Sequence, residues 1–425
     1  MIVNAARRAA LLLLALLLTS AAAQTELTIA HAMTGGADRA AFDAIVEAFE
    51  AVHPDITVDQ VVQDDDLYED AGLITMLQSN DPPDIFFQWG GALVQRDAEQ
   101  GFAADLTEAL DAGGFGDWFV DAAWSPAAGT MVDGGVYMIP NSLDVTTAIW
   151  YNVDLFEQHG LEEPQTWDEF VEVVRTLADA GVTPLMVGNS ELWPLGNWAG
   201  HLTTRVVGME TFDRAMRLEA PFQQEPFVRA FGLLEELADA GGFNADLTSL
   251  GADPAMNAFF QGAGAMHPIG SWLVPIAGEN APEGFRYDVF NTPEIEGGAG
   301  AANSVIGLAT GFEVSADTEH FEEAIAFLRF FSASLEGQRV WAEAGQFSPV
   351  RGAMEIADLD PHTQDLAELF ETAEALVPPP DTGYAVEVAD VFYEGAARVA
   401  SGTNDAEGAL AWIDDQLQPL RDERD

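Results

Sequence analysis

The sequence predicts an α/β protein of two domains, and three observations predict it. At 425 residues the chain is longer than one hydrophobic core usually supports. Short β-branched runs alternate with helical apolar patterns through its N-terminal part, as in a parallel sheet covered on both faces. From Gly135 to Asn152 that alternation gives way to GVYMIPNSLDVTTAIWYN, an extended stretch able to carry the chain from one domain to the next.

The elements follow in order. ELTIAHA is a short alternating run suited to a first strand. Gly35 and Gly36 lead into DRAAFDAIVEAFEAVHP, where Phe42, Ile45, Val46 and Phe49 recur at helical spacing until Pro54 closes the pattern. ITVDQVV reads as a second strand, LYEDAGLITMLQ as a second helix and DIFFQW as a third strand. The crevice of such a sheet lies beyond the carboxyl ends of its strands, which sets HAMTGG (His31 to Gly36) and QWGG (Gln88 to Gly91) on one rim. TWDEFVEVVRTLADAG is a helix with Thr166 as its cap and Glu169 three residues on. PFVRAFGLLEELADAG and PAMNAFFQG are further helical patterns. HFEEAIAFLRFFSASLEGQRVWAEAG is a long amphipathic helix or a helix pair, with Phe321, Ile325, Phe327 and Leu328 on its apolar stripe. VPPPDTG and two more helical patterns close the chain.

The first residues, MIVNAARRAALLLLALLLTSAAAQ, combine Arg7 and Arg8, a leucine-rich run and small residues ending at Ala23. This is the layout of a cleaved secretory signal, so the mature chain is expected to start near Gln24. With no cysteine there is neither a disulfide nor a thiol to lipidate, and the expected location is periplasmic or extracellular. All 16 basic residues are arginine, against 71 acidic ones, for a formal net charge of −55. Such a surface repels nucleic acid and anionic lipid, and it repels itself unless salt screens it. A salty habitat is the reading this favours.

Signatures of catalysis are scarce. Without lysine there is no P-loop and no Schiff base, without cysteine no thiol nucleophile, and neither HExxH nor GxSxG occurs. The glycine runs GAGAMH and GGAGAAN lack the third glycine of a dinucleotide fingerprint and read as turns. The 7 histidines are far apart in sequence, so a zinc site needs long-range folding to assemble, and no cofactor or metal is expected. The acidic run Asp64 to Asp66 lacks the glycine and closing glutamate of an EF-hand and reads as solvated surface.

YNVDLFEQHGLEEPQTWDEFVEVVRTLADAG (Tyr151 to Gly181), FFQGAGAMHPIGSW and AIAFLRFFSASLEGQRVWAEAGQFSPVRGAM together resemble the extracellular solute-binding proteins of ABC sugar importers, the group that includes the maltose-binding protein. Their order and spacing cover nearly all of the mature chain. The resemblance implies a periplasmic-binding-protein-like fold, with two discontinuous α/β lobes joined by a hinge. By it, the first lobe takes residues 24–140 and 300–345, and the second takes 141–299 and 346–425. It also implies no catalysis, a carbohydrate ligand, and ABC permease transmembrane subunits as partners, the protein acting as a monomer.

A sugar offers apolar C–H faces and an equator of hydroxyls, so its site calls for flat aromatic rings beside amide or carboxylate partners. Trp272 stands where the resemblance puts a stacking tryptophan, after glycines that let the indole turn into the cleft. Trp89 follows the third strand at the rim, flanked by Gln88 and Asp84, the latter equally suited to bracing the strand. NSELWPLGNWAG supplies Glu191, Trp193, Asn197 and Trp198 as a second aromatic wall, of which one or two members are expected in the interior. Thr34 and Gly35 echo the first-strand loop, where Ala32 and Met33 replace a tryptophan found in glucose-binding relatives. Asn141, Ser142 and Asp144 lie on the presumed crossing, with Asn303 and Gln346 on the others. Two other readings remain open: a binder of a polyol or polyamine on the same fold, and a secreted glycosidase or lyase.

Overall fold

The structure is a computed structural model that describes residues 25–64, 67–124, 128–333 and 335–423. The expected signal over residues 1–23, and Asp65 and Asp66 of the acidic run, lie outside the described residues.

Strand β1 (Thr25–His31) pairs in parallel with β2 (Ile56–Val62) and β3 (Ile85–Trp89). Between β1 and β2 runs helix α1 (Gly36–Val52), which buries Phe42, Ile45, Val46 and Phe49, the four residues picked out by their spacing. The second expected helix is a π-helical turn, Tyr68–Gly72, continuing as a short α-helix, Leu73–Leu77. After β3 comes α2 (Ala92–Gln100).

The extended stretch is one strand of 15 residues, β4 (Met138–Asn152). Its first part pairs antiparallel with β8 (Ser304–Val314), and its last part with β6 (Gly264–Ile269) and β7 (Tyr287–Phe290). β8 goes on to pair antiparallel with β3, while its start pairs in parallel with β9 (Ala375–Val377). The path through the sheet is β2-β1-β3-β8-β4-β6-β5, where β5 is Thr183–Leu185. A purely parallel sheet was the expectation. The crossing strands make it mixed, because β4 and β8 run opposite ways between the two halves.

GAGAMH is another difference. The run enters β6, every residue of which is buried, and a Cβ on Gly264 would come within 2.6 Å of Met186 Cβ. The glycine serves close strand packing here.

Helix α3 (Trp167–Asp179) carries the full capping box: the Thr166 side chain accepts from the Glu169 N–H, and Glu169 reaches back to the Thr166 N–H. It is followed by α4 (Trp193–Val207), α5 (Glu225–Asp239), α6 (Ala252–Phe260) and α7 (Leu273–Asn280). The late amphipathic stretch is a helix pair, α8 (Phe321–Ala333) and α9 (Leu335–Glu343). Then come α10 (Pro361–Thr372), a helical turn Pro380–Gly383, α11 (Val386–Ala400) and α12 (Ala406–Asp422).

The apolar interior falls into separate clusters. One gathers Phe42 and Phe49 of α1 with Phe312 of β8, Phe327 and Phe331 of α8 and Trp341 of α9. A second gathers Phe170, Trp198, Phe231, Phe392 and Leu410 from α3, α4, α5, α11 and α12. A third lies along the crossing strands, around Leu143, Trp150, Ile269, Leu273 and Phe347. Separate cores joined by two long strands give two lobes. No helix among the described residues is long and apolar enough to cross a membrane.

Candidate functional site between the lobes

The ladder sets Trp89 of β3 opposite Thr310 of β8, and Thr310 opposite Ser142 of β4. Residues opposite one another in a sheet share a face, so one row carries an indole and two hydroxyls, with Asp144 two residues further along β4. Asp144 Oδ1 accepts from Ser142 Oγ at 3.1 Å and from Ser271 Oγ at 3.3 Å, and its Oδ2 lies 3.1 Å from Thr310 Oγ1. The same Thr310 oxygen is 3.1 Å from Asn141 Oδ1. A hydroxyl has one proton and cannot fully serve both acceptors. Turning the Asn141 amide so that Nδ2 donates to Thr310 removes the conflict and leaves the Thr310 hydroxyl donating to Asp144. Burial pushes the Asp144 carboxyl upward, while the bonds from Ser142, Thr310 and Ser271 oppose it.

Ser271 couples this polar floor to the aromatic wall. Its N–H donates to Val145 O at 2.8 Å, fixing the turn out of β6. Trp272 follows immediately and its indole lies back over Gly270, where a Cβ would sit 2.0 Å from the ring. Only glycine leaves that space. Trp193 meets Trp272 with ring centroids 5.7 Å apart and planes inclined at 58°, and both rings are half-buried. Trp193 is set by an unusual backbone: Leu192 has φ +69° and ψ −36°, and the Trp193 N–H donates to Glu191 O at 2.9 Å. This is a γ-turn in its strained, positive-φ form. The Asn189 side chain holds its far side by accepting from the Leu195 N–H at 3.1 Å.

Two contacts bring the lobes together. Helix α7 packs on α1, and Thr382 O approaches Gly91 so closely that a Cβ there would lie 2.0 Å away. Beside Thr382, Asp381 buries Oδ1 without a hydrogen-bond partner among the described residues. Its N–H donates to Tyr393 OH at 2.9 Å, and burial pushes its carboxyl up to about 6. Like charges face one another nearby: Asp38 is raised by burial and then by Glu279, Asp253 by burial and then by Asp64 and Glu191.

Several expected contacts are engaged elsewhere. Gln88 is buried on the opposite face of β3 from Trp89, donating to Asp97 at 2.6 Å. Asp84 stands at the other end of that strand, accepting from the Thr28 N–H at 2.8 Å and from the Thr318 hydroxyl. Trp198 is fully buried and donates to Thr292 at 3.2 Å. Asn197 is buried and accepts from Tyr393 OH at 2.5 Å. Glu191 accepts from the Ala252 N–H at the start of α6. Asn303 donates to Thr372 O at 2.9 Å and accepts from Asn291.

Thr34 and Gly35 are exposed at the start of α1. Behind them His31 is held as a neutral ring: Nδ1 accepts from the Met33 N–H at 3.2 Å, leaving the proton on Nε2 to donate to Gln60 at 2.9 Å, and burial lowers its pKa. Gln346 is half-buried next to Phe347, whose carbonyl accepts from the Leu143 N–H. The side chains together at the crossing are therefore Asn141, Ser142, Asp144, Trp193 and Trp272, while Trp89 shares their row of the sheet by register and packs its ring on Phe87 and Tyr68. Thr310 and Ser271 join them without a sequence signal, apart from the position of Ser271 beside the tryptophan.

Two α/β lobes on crossing strands, with a polar floor and an aromatic wall between them, are an arrangement able to hold a solute. Residues 35–334 match the model of the bacterial extracellular solute-binding proteins, and the chain belongs to that family. An ABC transporter extracellular-binding protein of Pyrococcus horikoshii is 25% identical over 370 residues, 84% of this chain and 80% of that one. The multiple sugar-binding protein of Streptococcus mutans is 28% identical over 250 residues, 57% of each chain. Among solved structures, a chitin oligosaccharide binding protein superposes with a TM-score of 0.82 at 22% identity, covering 94% of this chain and 98% of that one.

Proposed function

We propose that this chain is the solute-capturing component of an ABC importer and that its solute is a neutral sugar, held between the lobes and handed to a membrane permease. One observation carries the reading: the Trp193 and Trp272 rings stand beside the hydroxyls and carboxyl gathered at Asp144. Indole faces match the C–H surfaces of a pyranose, and the hinge groups match its hydroxyls. The names of the Streptococcus mutans relative and of the chitin oligosaccharide binder point the same way. Trp272, Trp193, Trp89 and Asp144 are the proposed contacts, with Asn141 and Gln346 bordering them. A ligand touching both lobes favours the closed form only by the difference between its affinities for the two forms.

In this reading the leader is removed near Ala23, and the chain works as a monomer outside the cytoplasmic membrane, in a salty medium. The lobes divide at the crossings given by the sequence. A thermal-shift screen of mono- and oligosaccharides in molar salt tests it: at least one neutral sugar raises the melting temperature. The facing carboxylates of Asp38 and Glu279 favour a second reading, a cationic solute. A shift with a polyamine and none with any sugar would move the assignment there.

A further inference from the structure

Away from the lobe interface, β7 and α10 bring together three side chains that the solute site does not use. One ring nitrogen of His362 and one carboxylate oxygen each of Asp288 and Asp365 lie within 4.8 Å of one another. His362 and Asp365 are three apart on α10 and so share a helix face, and Asp288 projects from β7. The imidazole is held in place, for Tyr287 stacks on it with centroids 3.9 Å apart and planes 27° from parallel. Its Nδ1 is shielded from solvent and has no hydrogen-bond partner among the described residues. A buried ring nitrogen in that condition is a cost unless something binds it.

Charge points the same way. Asp288 Oδ1 accepts from the Val289 N–H at 2.8 Å, and no ion pair joins an arginine to Asp288 or Asp365 among the described residues. Glu368 and Glu163 add to the negative field around Asp365. The nearby Arg286 is occupied by Asp154 and Glu157. Two carboxylates beside a half-buried imidazole, with no arginine paired to them among the described residues, are a donor set for a metal ion.

We propose that Asp288, His362 and Asp365 bind one divalent transition cation of the Zn²⁺ or Mn²⁺ kind. Imidazole with two carboxylates suits such ions, whereas Ca²⁺ and Mg²⁺ favour all-oxygen shells. Donors about 2.1 Å from one ion lie at most about 4.2 Å apart, so the present spacing closes with small side-chain rotations. Three protein ligands leave a position for water. The bound ion ties α10, which enters the second lobe after the last crossing, to the β7 edge of the sheet. Its role is to stabilise that lobe, and it makes no contact with the solute.

The test uses the full-length protein, dialysed against chelator and titrated with Zn²⁺ in molar KCl and excess Mg²⁺, so that adsorption to the acidic surface is screened and saturated. The proposal expects one equivalent of tight binding, a rise in melting temperature, and visible d–d bands when Co²⁺ replaces Zn²⁺. His362→Ala and Asp365→Asn each remove that equivalent and the thermal gain, whereas Glu355→Gln, an exposed acid on the neighbouring segment, retains both. Asp365→Asn changes a surface carboxylate and keeps the test sound if His362→Ala folds poorly. Wild-type binding that fails to saturate at one equivalent, or binding undiminished in Asp365→Asn, overturns the proposal. The solute screen is unaffected by either result.

Discussion

Trp193 and Trp272 meet with ring centroids 5.7 Å apart and planes inclined at 58°, one at the start of α4 and the other at the turn out of β6. Neither ring is held by its own element alone. Gly270 makes the space for one, and the γ-turn at Leu192 aims the other.

Trp272→Ala is expected to weaken sugar binding by about thirtyfold, from the loss of roughly 2 kcal/mol of buried ring surface, with the circular dichroism spectrum unchanged. Gly270→Ala leaves the indole in the chain but pushes it off its seat, because the new methyl would sit 2.0 Å from the ring. Its affinity should fall nearly as far. Wild-type affinity in Gly270→Ala would show that the ring's position does not matter to binding.

Thr310→Val tests the polar floor. The isosteric change strips a hydroxyl partner from both Asn141 and Asp144. Leaving such groups unsatisfied costs about 1–3 kcal/mol, read as a lower denaturant midpoint at an unchanged m-value. Thr310→Ser keeps the hydroxyl and should lose less. Equal stability of Thr310→Val and wild type would mean that water satisfies these oxygens.

Asp381 makes stability depend on pH. Its folded pKa, near 6, lies above the unfolded carboxylate value of 3.8, so the folded state holds this proton more tightly. The stabilisation is fully present below about pH 4 and is lost as pH rises through 6. Asp381→Asn does not titrate. Relative to wild type it should therefore gain on the order of 2 kcal/mol between pH 4 and pH 7. A stability difference that stays constant across that range would count against the buried carboxyl.

Salt acts on the whole surface and on the lobe interface alike. A net charge of −55 is self-repelling, and Asp38 faces Glu279 between α1 and α7. Raising KCl from 0.1 M to 2 M should lift the melting temperature and tighten sugar binding, since the screening length falls from about 10 Å to a few ångströms. A melting temperature that is flat or falling with salt would remove the halophilic reading.

How much of this was legible follows from local geometry. The capping box at Thr166, the apolar stripe of α1 and the long crossing strand are written in short-range patterns, and each formed as its residues suggest. Adjacent residues on a strand point to opposite faces, so Gln88 and Trp89 cannot both line the same surface. Asp84 is five residues from Trp89, roughly 17 Å along β3 at about 3.3 Å per residue, and meets the far end of the sheet. Trp198 lies about 140° around α4 from Trp193, and that helix is buried from Pro194 to Val207, so no polar stripe in its sequence marks an outer face. Thr310, Asp381 and the His362 cluster depend on segments far apart in the chain, which periodicity does not report.

The most direct measurement is a calorimetric titration in molar KCl with the sugar that gives the largest thermal shift, followed by analysis of the recovered sugar. The account predicts one saturable site per chain, weakened about thirtyfold in Trp272→Ala, and sugar recovered intact. Heat from no neutral sugar at all, or recovery of a cleaved product, would contradict it.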